Sequence, residues 1–418
     1  MNQDLCSGSL SPNTQAILLL TAPLLLGRNP APPELLSHGE YKKLARHLHA
    51  SGHQPADLLA PDAADLLRGC QPIIEESRLR HLLGRGFLLS QAVTHWHSRA
   101  IWIVSRADPH YPKHLKARLR EEAPPVLYGC GDISLLETGG LAVIGSRDAD
   151  QAEMDYANHV GHLSAVAGKT LISGGARGID QAAMQGAANA HGWVCEVMAE
   201  KLERAALDSH RRKDLMENRL VLLSAYDPNA GFNAGHAMQR NKLIYALADA
   251  ALVVASDYNR GGTWAGAIEQ LEKMHLVPVY VRSSGKASRG LDALREKGAK
   301  SWPEPQDEQA FNAILNARQV TPPWQTSLPM APIENASAQG EIIKPEDSPA
   351  ETLFSTVRNI VQRLLAAPMN DESIASALNV SPDQAQTWLQ RLVDEGTLEQ
   401  QIPSCSYKLK PGVTLSHH

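Results

Sequence analysis

From residue 141 to about 303, short apolar runs of strand length alternate with stretches whose apolar residues recur every three or four positions. The runs at 141–144, 170–173, 194–198, 220–224, 251–255 and 277–281 read as strands, with helices predicted at 179–190, 238–248 and 263–274. A parallel pair of strands needs a long crossover, so this alternation predicts a mainly parallel, doubly wound α/β sheet. Upstream, leucines at helical spacing, as in 40–49 and 65–70, predict a small helical N-terminal domain over residues 1–95. The apolar run 16–26 reads as a core helix of that domain, since Pro23 breaks it and it is too short to span a bilayer.

Residues 96–140 carry short apolar runs around Tyr111-Pro112 and Pro124-Pro125, a pattern of strands and turns. They are expected to form an edge extension of the central domain, which then runs from 96 to 303. A helix is predicted at 308–318, and residues 319–350 are rich in proline, serine and glutamate without apolar periodicity. The stretch 304–350 therefore reads as a flexible linker. Helical patterns at 353–365, 371–378 and 382–395 precede two polar strands near 396–401 and 406–410. Ser381 is placed to cap the third helix, with Pro382 at its first position. Three helices and a hairpin make 351–410 a winged-helix domain by plan. Its third helix carries Asp383, Gln384, Gln386, Gln390, Arg391, Asp394 and Glu395, too little positive charge for a duplex groove, so a protein contact is expected.

The formal charge of −5 excludes a generally basic nucleic-acid coat, so any such site must be a local patch. Five scattered cysteines (Cys6, Cys70, Cys130, Cys195, Cys405) form no CxxC pair, which fits a reducing compartment and argues against zinc fingers. A cytoplasmic protein with no membrane partner is expected.

The chemistry concentrates where strands end. Gly145-Ser146-Arg147 follows the first strand of the central domain, and Ser173-Gly174-Gly175-Ala176-Arg177-Gly178-Ile179-Asp180 follows the second. Glycine lets backbone approach a ligand, amides opening a helix attract an anion, and each arginine offers a phosphate fork. Asp180, at a helix start, is placed to stabilise the helix dipole, to orient Arg177 or to bond a sugar hydroxyl, with the orienting role slightly favoured. A third cluster, Arg240-Asn241-Lys242, falls near the predicted start of its helix, where two cations are unfavourable unless an anion is present. A fourth, Asn259-Arg260-Gly261-Gly262-Thr263, lies between strand and helix, and His210-Arg211-Arg212-Lys213 reads as a solvated face. Gly84-Arg85-Gly86 reads as a turn between helices. There is no GxxxxGK[ST], no GxGxxG and no nucleophile–base pair near the glycine loops. No cofactor, metal or catalytic group is expected: the pocket holds phosphates without breaking bonds.

These motifs together resemble the DprA/Smf family of DNA-processing proteins. The resemblance rests on Tyr111-Pro112, Pro124-Pro125-Val126-Leu127-Tyr128, Gly145-Ser146-Arg147, the Ser173–Asp180 motif and Arg240-Asn241-Lys242, and its order and spacing cover about 100–285. It implies an extended Rossmann-like domain that binds single-stranded DNA, dimerises and delivers the strand to a RecA-type recombinase in transformation and recombination. It further implies that Ser146, Arg147, Gly174, Gly175 and Arg177 line the strand pocket while Arg240 and Lys242 grip further phosphates. Lys242 stands where the family has a second arginine. An alternative is a nucleotide-sensing SMF/LOG-type domain. The LOG-type hydrolases carry a glutamate three residues past the loop threonine, where this chain has Gly266; Glu269 lies three residues beyond.

Overall fold

A computed structural model of the chain describes residues 10–25 and 34–316, with isolated positions between 361 and 409. The chain divides into two compact units, 1–326 and 327–418. In the first, nine strands form one sheet: β1 (Ile101–Ser105), β2 (Val126–Gly131), β3 (Leu141–Gly145), β4 (Leu171–Ser173), β5 (Val194–Met198), β6 (Leu220–Ser224), β7 (Ala250–Ala255), β8 (Val279–Val281) and β9 (Lys300–Ser301). Their order is β1-β2-β6-β5-β4-β3-β7-β8-β9. From β6 across to β9 every pairing is parallel, and β1 and β2 add antiparallel at one edge. The sheet grows from β3 to β6 in one direction and from β7 to β9 in the other. The switch point therefore lies between β3 and β7.

Alternation along the strands feeds both faces, as the two-residue period of a strand requires. Leu141, Val143, Leu252 and Val254 enter the core on one side, and Ala142, Ile144, Ala251 and Val253 on the other. The N-terminal helices α1 (Pro12–Thr21), α2 (His38–Ala50), α3 (Ala64–Gly69), α4 (Glu76–Leu83) and α5 (Gly86–His97) join the first of these cores. Trp96 of α5 meets Tyr128 of β2 edge-on at 5.3 Å between ring centres. Arg85, between α4 and α5, is buried and donates to the carbonyls of Leu19 and Ala22, so it closes the end of α1. Burial holds its pKa down at about 10.

The remaining helices are α6 (Lys113–Leu119), α7 (Gln151–Val166), α8 (Ile179–Asn189), α9 (Leu202–Ala206), α10 (Ser209–Met216), α11 (Ala234–Leu247), α12 (Gly261–Glu269), α13 (Arg289–Glu296) and α14 (Glu308–Asn316). α7 and α8 touch backbone to backbone: a Cβ on Gly161 would lie 2.0 Å from the Ala183 carbonyl oxygen. Helix α11 begins at Ala234, four residues before its predicted start. Asn233 caps it by accepting the His236 N–H, a local bond that the apolar spacing from 238 onward does not report. Arg240-Asn241-Lys242 consequently lie in its second turn and not at its opening.

In the second unit, β10 (Met369–Asn370), β11 (Leu398–Gln401) and β12 (Ser406–Leu409) form an antiparallel sheet over a small core that includes Ile374, Leu389, Leu392 and Tyr407. β11 and β12 fall on the two strands predicted there. Most of the three predicted helices, and residues 317–350, lie outside the described residues. Among the described residues no helix is long and apolar enough to cross a membrane.

Candidate functional site

The loops predicted from glycine and arginine meet at the carboxyl edge of the sheet, at its switch point. β3 ends in a bulge: its pairing with β7 slips by one residue between Ile144 and Gly145. Ser146 N–H then donates to the Ala255 carbonyl at 3.0 Å, and the chain enters α7 through a capping box of Asp150 and Glu153. Ser146 is left half-buried and Arg147 exposed beside the strand end. Among the described residues Arg147 has no ion pair.

The second loop is fastened at both ends. Ser173 Oγ donates to the Val143 carbonyl at 2.7 Å, tying β4 to β3 and leaving the hydroxyl inside the fold. Gly175 and Gly178 have φ of 66° and 87°, and a Cβ on Gly178 would lie 2.6 Å from the Ser146 carbonyl oxygen. Only glycine lets the two loops touch in this way. Asp180 sits beneath them, accepting the Gly145 N–H at 3.3 Å and the Ala176 N–H at 3.4 Å. It binds one loop to the other and does not orient Arg177, which is exposed and pairs with Asp148 at 3.0 Å. Burial raises the Asp180 pKa to about 6 against the opposing pull of Arg240.

Arg240 is the deepest cation of the site. Buried in the middle of α11, it donates to the carbonyls of Gly174 and, at 2.8 Å, Val197. Its guanidinium therefore pins the second loop to β5. Burial pushes its pKa down, Asp180 pulls it back up, and the charge of Arg147 adds to the downward push. Two like charges facing one space favour an anion between them. Asn241 donates to the Gly262 carbonyl at 3.2 Å, and Thr263 Oγ1 to the Gly145 carbonyl at 2.9 Å, so the fourth loop is fastened to β3 as well. Lys242 departs from this group. It is ion-paired with Glu269 at 3.0 Å and does not line the cavity that holds Arg240.

Two cavities result. One, of about 460 Å³ at the switch point, is lined by Ser146, Arg147, Asp180, Arg240, Arg260 and Thr263 among others. The next, of about 870 Å³ beyond the ends of β4 and β5, is lined by Gly174, Gly175, Lys201 and Arg204 among others. Arg147, Ala176, Phe232, Ala237 and Arg240 border both, which makes them one continuous groove. One of its carboxylates, Glu196, is buried and held by Nε and Nη2 of Arg211, each at 3.1 Å, whereas Asp257 lines the switch-point cavity exposed. Arg211 is thus a partner of the groove wall and not part of a solvated face. Among the described residues no cluster of three or more His, Cys, Asp or Glu is arranged to hold a metal.

Several groove residues stand outside the predicted set of binding residues, among them Phe232, Lys201 and Arg204. Phe232 is 65% exposed and borders both cavities. Its only sequence signal is an aromatic among glycine and asparagine in a chain with four phenylalanines. Arg260 borders the switch-point cavity, brought there by the glycine loop that follows it.

Fold and site together define a doubly wound α/β protein with its candidate site at the switch point of the sheet, where such folds take their ligands. Residues 102–312, half of the 418, match the family model for DNA recombination-mediator protein A, and the chain belongs to that family. The chain is 28% identical over 284 residues to Protein Smf of Escherichia coli (strain K12), covering 63% of this chain and 72% of that one. It is 25% identical over 194 residues to the DNA processing protein DprA of Bacillus subtilis (strain 168), covering 46% of this chain and 65% of that one, just under two thirds of its length. A solved relative is DNA processing protein A from Helicobacter pylori, studied for its single-stranded DNA binding mode. It has 23% identity and a TM-score of 0.43, and the match covers 52% of this chain and 97% of that one.

Proposed function

We propose that the groove binds single-stranded DNA along its phosphate backbone, without base readout and without breaking bonds. The observation that carries this is a division of labour. Asp180, Arg240, Asn241 and Thr263 are spent fastening three strand-end loops together, which leaves Arg147, Arg260 and the loop backbone facing an open groove. A run of cations with an exposed aromatic, Phe232, suits a flexible strand whose bases can splay and stack. The engaged state of Asp180 and Glu196 supports binding over hydrolysis.

In this reading the chain protects exposed or incoming strands and hands them to a RecA-type recombinase, as a homodimer in the cytoplasm, in recombination or transformation. Residues 351–410 would form a winged helix that contacts protein, and residues 1–95 a helical domain; the linker expected from 304 would begin only after α14, whose Phe311, Ile314 and Leu315 are buried in the core. The test is binding of labelled single-stranded and duplex DNA across a salt series. Single strands should bind more tightly, with log affinity falling against log salt by about 0.7 for each phosphate held. A chain lacking the residues after 350 should bind strands normally.

A second reading is favoured by one observation. The switch-point cavity, at about 460 Å³, falls within the range of small-ligand pockets, so a nucleotide is the competing occupant. Tight binding of a mononucleotide or cyclic nucleotide, with no strand binding at low salt, would replace the DNA reading with a sensor.

A further inference from the structure

The groove does not end at the switch point. Beyond Gly261 the cavity there opens into a third, of about 560 Å³, and the two share Met238, Arg260 and Gly261. Its other lining residues include Lys242, Trp264 and Lys273. Trp264 is half-buried and braced from the side by Tyr258, whose ring meets it edge-on at 5.2 Å. The guanidinium of Arg289 lies over Tyr258 at 4.3 Å and holds that ring in turn. Two carboxylates line the same space, and each is matched: Glu269 by Lys242 at 3.0 Å and Glu272 by Lys297 at 2.7 Å. Arg260 and Lys273 are exposed and, among the described residues, have no ion pair. What remains is a braced indole flanked by two uncommitted cations, continuous with the phosphate groove.

We propose that this third cavity is a second subsite for the same DNA strand. The strand leaves the switch-point cavity over Gly261, places phosphates against Arg260 and Lys273, and stacks a base on Trp264. The chemistry fits a nucleic acid better than a free anion, because a lone phosphate has no use for an aromatic platform, whereas base and phosphate alternate along a strand. This rests on the reading of the groove as a strand site.

The experiment uses the full chain and oligo-dT strands of increasing length, read by fluorescence anisotropy. Variants are Trp264→Ala, Trp264→Phe and Lys273→Ala, all at residues that line the third cavity and not the switch-point one. Strands short enough to fill the first two cavities should bind all variants like the wild type. On longer strands Trp264→Ala should weaken binding about tenfold, and Trp264→Phe should restore most of the loss. Lys273→Ala should lower the long-strand salt slope by about 0.7, for one phosphate. Because Lys273 is exposed, its variant keeps the test open if Trp264→Ala fails to fold. Unchanged long-strand affinity and slope in Lys273→Ala would overturn the subsite, as would an equal effect at every length. If the wild-type chain binds no strand of any length, the strand reading itself has failed and the subsite with it. If strands bind and Arg147→Ala weakens them while length has no effect, only the subsite is lost.

Discussion

Arg240→Met separates a staple from a grip. Arg240 matches a position from which the family resemblance implies a phosphate contact, yet its guanidinium is buried and bonded to the carbonyls of Gly174 and Val197. Methionine fills a similar space and makes neither bond. Two buried carbonyls left unpaired are worth about 1–3 kcal/mol each, and relief from burying a charge offsets part, so a net loss of about 3 kcal/mol is expected. The loss should depend on pH. Asp180 has its pKa raised by burial from 3.8 to about 6, so the folded chain keeps a proton that the unfolded chain releases. Stability is therefore greatest below the unfolded value and is lost as pH rises through the folded one, by about 3 kcal/mol in all. Removing Arg240 takes away the cation that restrains this shift, so the Asp180 pKa climbs further and the loss extends to higher pH. Urea unfolding near pH 5, 7 and 8 should show a gap between wild type and variant that widens with pH. If Arg240→Met matches the wild-type midpoint at every pH and loses only DNA affinity, Arg240 is a free grip and the fastening argument is wrong.

Arg147→Ala should behave in the opposite way, weakening single-strand binding and lowering the salt slope by about 0.7 while the unfolding midpoint stays put. Phe232→Ala, at a side chain 65% exposed, should lower strand affinity by about 1–3 kcal/mol for one lost stacking contact, with no change in melting temperature. Gly178→Ala puts a side chain at φ 87° and 2.6 Å from the Ser146 carbonyl oxygen, so thermal unfolding should fall by several degrees, for a loss of about 1–3 kcal/mol. Lys242→Ala, removing a cation committed to Glu269, should affect short strands little; a loss as large as that of Arg147→Ala would return Lys242 to the phosphate pocket.

Much of the central sheet was legible because its signals are local. Strand runs, helix periods and the glycines of Gly145, Gly175 and Gly178 all act within a few residues of themselves, through backbone dihedrals and adjacent amides. The sequence alone thus determined a parallel sheet and the loops at its carboxyl edge. The roles of individual cations were settled only in three dimensions. Arg240 and Lys242 are two residues apart, about 200° around a helix, so they must face different sides, and only the packing of α11 decides which one is buried. Asp180 was read as a partner of Arg177 from proximity in sequence, whereas the fold brings the Gly145 amide within 3.3 Å of it and leaves Arg177 to Asp148. Phe232 carried no periodic signal, and Trp264 read only as an apolar position of the helix predicted over 263–274. Side-chain direction and long-range contact depend on how elements pack, and that information is spread across the whole chain.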